Sequence, residues 1–197
     1  MRGLATGLVA LLVAAWSASV DAAPFGIAAG TKFTDAEISR DLGKFNFALK
    51  GVPTPHPAFE SFVAWSPPGV GTCQIKAIGV TRDNDAFGTG VRADFATLKA
   101  QLEQVYGAGR VNDFLRPGAL WDEPREWVMA IRQNERTLQA VWGSLQDNAP
   151  QLKDAVIEII LTVSALDSDS AYILLQYRFS NYKACQAADA AAGAGAL

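Results

Sequence analysis

Two stretches near the carboxyl end, residues 155–166 and 171–179, alternate apolar and polar side chains with a period of two, and only Asp167-Ser168-Asp169-Ser170 separates them. In the first, Ile157, Ile159, Leu161, Val163 and Ala165 face one way while Glu158, Thr162 and Ser164 face the other. In the second, Ile173, Leu175, Tyr177 and Phe179 oppose Gln176 and Arg178. One-sided strands joined by a short polar turn pair antiparallel, because parallel neighbours need a crossover of a dozen or more residues and burial on both faces. A doubly wound parallel sheet is therefore excluded, and the class is α+β.

The remaining chain extends this reading. Phe45, Phe47 and Leu49 alternate against Lys44, Asn46 and Lys50, and further strands are expected at 60–65, 72–81 and 136–142. In the 72–81 strand, Cys73, Ile75, Ala77 and Gly79 share the inner side. Phe95, Leu98, Leu102, Val105 and Tyr106 recur at helical spacing, with Gly107 as the stop. Asp122-Glu123-Pro124 opens another helix with Trp127 and Ile131 on its buried side. Thr34-x-x-Glu37 has the form of a capping box and predicts a short helix over 35–42. The sum is a mainly antiparallel sheet of about six strands with helices packed on one face, arranged as two α-βββ halves. Residues 187–197, rich in Ala and Gly and without an amphipathic face, read as a frayed tail.

Residues 1–22 read as a secretory signal peptide. Arg2 precedes an apolar run from Leu4 to Trp16, and Val20-Asp21-Ala22 places small residues at the cleavage positions. That run is shorter than the roughly 20 residues a membrane span requires. The expectation is a single domain over 23–186, without stable membrane insertion after cleavage, in the periplasm or outside the cell. A net charge of −3 and a pI near 5.2 provide no general attraction to phosphate backbones, so nucleic acid is not an expected partner. Export gives the two cysteines a meaning: Cys73 and Cys185 should pair. Neither stands in a C-x-x-C motif, and two sulfurs with one histidine do not complete a zinc site.

Motifs carrying chemistry are sparse. His56, the single histidine, stands between Pro55 and Pro57 and has no nucleophile elbow to serve. Asp83, Asp85 and Asp94 match part of a calcium loop, with glycine at position six, but Phe87 occupies the fifth position and Asp94 is shorter than the usual glutamate. Trp121, Asp122 and Glu126 could line an aromatic and carboxylate cleft, with His56 as a further candidate ligand-binding residue. No phosphate loop or H-E-x-x-H motif occurs, and no cofactor is expected.

The segments Phe25-Gly26-Ile27, PTPHPAFESF, GTCQIKAIG and LKAQLEQVYG resemble uncharacterised exported proteins of Gram-negative bacteria. That resemblance implies a periplasmic location and no assigned activity. The leading expectation is a non-catalytic domain that binds a periplasmic protein, using a sheet edge near the proline cluster 53–57. The alternative is a small-ligand-binding protein or hydrolase using the Trp121, Asp122 and Glu126 cleft.

Overall fold

Strands form where alternation offers an apolar face, and a computed structural model, which describes residues 23–146 and 150–194, contains eight of them. The leader read at 1–22 lies outside the described residues. The strands are β1 (Ile38–Gly43), β2 (Asn46–Leu49), β3 (Phe59–Trp65), β4 (Gln74–Gly79), β5 (Arg110–Leu115), β6 (Arg136–Gly143), β7 (Val156–Ala165) and β8 (Ala171–Phe179). They make one antiparallel sheet in the order β1-β2-β3-β4-β8-β7-β6-β5. The α-helices are α1 (Thr89–Tyr106), α2 (Trp127–Arg132) and α3 (Tyr182–Ala194). The fold is α+β.

Alternation decides which side of the sheet is covered. Ile75 and Ala77 of β4, Leu175 and Phe179 of β8, and Ile159 and Leu161 of β7 point to the same side and are buried. Against them α1 presses Val91, Phe95, Leu98 and Leu102, and α2 adds Trp127, Val128 and Ile131 beside β6 and β7. The opposite side is half-buried: Val63, Lys76, Gln176, Ile160 and Val141 lie in successive register across β3, β4, β8, β7 and β6. Helix α3 begins at the rim of this second side. There the Tyr182 ring meets Trp65 edge-on at 5.3 Å, and the Arg178 guanidinium lies 5.2 Å from its centroid. Helices α1 and α2 therefore share one face.

Several expectations need correction. The helix anticipated over 35–42 is absent. Thr34 and Glu37 do meet, with the Thr34 amide and hydroxyl both donating to Glu37 Oε2 at 2.9 and 2.7 Å, but they close a single turn. The chain then runs into β1, because hairpin pairing with β2 satisfies more backbone groups than an exposed helix lacking an apolar face would bury. Phe45 is not in a strand: Lys44 and Phe45 form the hairpin turn, at φ values of 49° and 60°. The halves are not α-βββ: the first is ββββα, with β1–β4 before α1, and the second is β-α-βββ-α, with α2 between β5 and β6 and α3 after β8. The sheet order reads inward from each edge to β4 and β8 at the centre. The tail expected from 187 onward is helical through Ala194, because alanine has the highest helix propensity and the helix is anchored at Cys185. The proline cluster is not at an edge. It joins β2 to β3, both interior strands.

Candidate functional site

Cys73, just before β4, and Cys185, on the second turn of α3, form a disulfide with their Cα atoms 6.3 Å apart. Both residues are fully buried. Beside the bridge the Asn181 side-chain amide donates to the Thr72 carbonyl at 3.1 Å, and α3 is thereby held against the start of a central strand. The sequence pairing is observed.

Trp121 and Asp122 do line a cleft, of about 320 Å³, together with Phe87, Arg92, Trp127 and Arg136. Trp121 is set in place by Glu135, whose Oε2 accepts from the Leu120 and Trp121 amides at 2.8 and 3.0 Å. Trp127 comes close because Gly88 has no side chain: a Cβ there would lie 2.2 Å from Trp127 Cε3. The guanidinium carbons of Arg92 and Arg136 sit 5.5 and 5.8 Å from the Trp127 ring centroid, within cation–π range. Arg136 also pairs with Asp113 of β5 at 2.8 Å. Glu126 does not join this lining. Its carboxylate turns back to accept from the Glu123 amide, completing a capping box at the 3-10 turn before α2. The cleft therefore holds the expected Trp121 and Asp122, with Glu123 in place of Glu126, and adds two arginines that were not anticipated. Arg92 and Arg136 escaped sequence reasoning because they come from different elements. Arg136 had a faint signal: a charge in phase with the buried residues Leu138, Ala140 and Trp142.

His56 is elsewhere. It lines a separate cavity between the 53–58 loop and α1, where its Nδ1 accepts from the Ala58 amide at 3.2 Å. It shares no cavity with Trp121 or Asp122, so the acid, aromatic and imidazole groups do not converge.

The partial calcium loop is put to other uses. The Asp85 carboxylate accepts from the Thr89 and Gly90 amides, both at 2.7 Å, taking up donors that the start of α1 leaves open. Asp94 receives Arg82 through two bonds of 2.7 and 2.9 Å, and this pairing holds the arginine guanidinium above its ordinary pKa, chiefly through the hydrogen bond. Asp83 is exposed. Among the described residues, no three His, Cys, Asp or Glu side chains come together in a way that could hold a metal ion.

The two sheet edges differ. The β1 edge is irregular, with register shifts between Ile38 and Arg40 and between Asp41 and Gly43. Strand β5 pairs with β6 without interruption from Arg110↔Val141 to Leu115↔Arg136. The Arg116 amide donates to the Glu135 carbonyl at 2.8 Å. In an antiparallel ladder that phase turns the amides and carbonyls of Val111, Asp113 and Leu115 away from β6. Val111 and Phe114 are half-exposed on this strand.

Comparison with protein-family models, with curated proteins and with solved structures finds no match. The geometry alone carries the functional reading. It offers a free regular strand, and beside it an aromatic cleft joined to that strand through the pair of Asp113 with Arg136.

Proposed function

We propose that this is an exported envelope protein of the type found in Gram-negative bacteria, and that it binds an extended segment of a protein partner along β5 without catalysing a reaction. The uninterrupted edge of β5 carries the proposal. An edge strand accepts a partner strand through its unpaired backbone groups, and side-chain pockets beside it supply selectivity. Natural proteins blunt exposed edges with bulges, proline or inward-pointing charges; β1 is interrupted by register shifts, while β5 is unbroken and its one inward-facing charge, Asp113, is paired with Arg136. The cleft supplies the pocket. A partner side chain on the helix side of the added strand meets Asp113 and Arg136, and an aromatic one continues onto Trp127 and Trp121.

The separation of His56 from Trp121 and Asp122 favours binding over hydrolysis. Export is supported by the leader pattern of residues 1–22 and by the disulfide, since such bridges persist in oxidising compartments. No helix among the described residues is long and apolar enough to cross a membrane.

Val111→Pro tests the reading. The Val111 amide points away from β6, so proline there leaves the β5–β6 ladder intact and blocks an incoming strand. The wild-type chain should retain a protein from an envelope extract, and the amides of Val111 and Asp113 should gain protection from hydrogen exchange in that complex. Val111→Pro should lose the partner while keeping its thermal midpoint within a few degrees. Undiminished capture by the variant, or protection confined to other elements, rejects the edge. Retention of a small metabolite alone rejects the protein-partner reading.

A further inference from the structure

The cavity that holds His56 has the composition of a small-molecule site. It measures about 270 Å³ and is walled by Phe25, Phe59, Leu98, Leu102 and Leu175. Its polar groups are few: Thr54, Gln101, the His56 ring and the hydroxyls of Tyr106 and Tyr177. No lysine, arginine, aspartate or glutamate lines it, but Ala23 does, and cleavage after Ala22 would leave an α-ammonium on that residue. Binding sites for small ligands typically combine apolar walls with a handful of placed polar groups, at volumes from about 300 Å³ upward, so this one suits a single-ring molecule.

Three unused donors face the space. Tyr177, on β8, is only 6% exposed, and its hydroxyl has no hydrogen-bond partner among the described residues. The Tyr106 hydroxyl is likewise unpaired there. Burial raises the pKa of Tyr106 to about 12 and pushes that of Tyr177 further up, so both remain protonated donors. At His56, Nδ1 already accepts the Ala58 amide, so the neutral ring carries its proton on Nε2.

Local strain points to the same place. Phe25 sits at φ 56° and ψ 18°, a left-handed conformation that costs a phenylalanine. Its neighbour Gly26 also has positive φ, and a Cβ there would strike Pro53 at 2.7 Å. This tight turn, tied to the proline loop by the Thr54 amide donating to the Phe25 carbonyl at 3.1 Å, drives the Phe25 ring edge-on against Phe59, Phe62 and Tyr177. The proline cluster thus holds His56 and Phe25 over one opening.

We infer that this cavity binds a small aromatic molecule that carries a hydrogen-bond acceptor and no positive charge, with the ring against Phe25 and Phe59 and the acceptor taking the donors of Tyr177, Tyr106 or His56. Edge-to-face contacts favour a ring over a short alkyl chain. A cation would lose its hydration without finding a counter-charge and would face the α-ammonium of Ala23. The site shares no lining residue with β5 or the Trp121 cleft, so its failure and the failure of the edge reading are separate results.

Acetophenone is the probe, with benzylammonium as the cationic control and cyclohexanol as the non-aromatic one, each titrated into the full mature chain and followed by methyl and aromatic NMR. Acetophenone should shift the Leu98, Leu102 and Leu175 methyls, and benzylammonium and cyclohexanol should bind at least several-fold more weakly. Tyr177→Phe should weaken acetophenone by about three- to tenfold, the worth of one hydrogen bond, without lowering the thermal midpoint. Val105→Trp, at a half-exposed position on the rim, should close the opening and abolish the shifts. No shifts at millimolar probe, shifts mapping elsewhere, or equal binding by Tyr177→Phe and wild type would each overturn the inference.

Discussion

Single residues show how local chemistry is redirected by what lies nearby. Asp167 sits in the turn between β7 and β8, where its Oδ1 accepts from the Asp169 and Ser170 amides at 3.0 and 2.8 Å. These bonds, led by the Asp169 amide, hold its carboxyl below the ordinary value of 3.8. The folded form therefore binds a proton less readily than the unfolded chain. The stabilisation is complete above the unfolded pKa and is lost as pH falls through the lower folded one. Asp167→Asn should flatten the acid limb of the stability curve below about pH 4, measured by urea denaturation at stepped pH. The turn was legible from its Asp-Ser-Asp-Ser composition. The tasks of Glu126 and Asp94 were not, because each depends on a neighbour whose orientation only the folded backbone supplies.

At the scale of elements, the six strands and two of the three helices anticipated are present, and they are those with an apolar face to bury: β2, β3, β4, β6, β7, β8, α1 and α2. The two strands that escaped, β1 and β5, are the two edges of the sheet. Their residues are almost all exposed, so burial left no period-two mark in their sequence. Periodicity records burial, and edge strands are held chiefly by backbone pairing on one side. The helical boundary at α1 has its own determinant. Asp85→Ala should remove the acceptor for Thr89 and Gly90 and cost about 1 kcal/mol in chemical denaturation, the usual loss when a helix start is uncapped. The same experiment separates a structural role from calcium binding: the variant should be equally destabilised with and without added calcium.

For the whole molecule, the disulfide links the two four-stranded halves. It ties Cys73, ahead of the last strand of the first half, to Cys185, on the closing helix of the second, across a sequence separation of 112. Constraining so long a loop removes much entropy from the unfolded chain. Replacing both cysteines by serine should lower stability by about 2–5 kcal/mol. The loss should appear in chemical denaturation, with α3 becoming the first element to exchange its amides. Intact mass and thiol labelling of the wild type should show two reactive sulfurs after reduction; labelling of both beforehand would refute the bridge.

The one-sided alternation of residues 155–179 was enough by itself to settle the α+β class and the antiparallel pairing, and the compartment argument was enough to pair Cys73 with Cys185. These are properties of short-range pattern or of counting. Tertiary structure alone decided which strands became edges, that two arginines would join Trp121, Asp122 and Glu123 in one cleft, and that His56 would join Tyr177 across the core. Each of those outcomes brings together residues distant in the chain. Local periodicity constrains the face a side chain presents, while the packing of whole elements selects what that face meets.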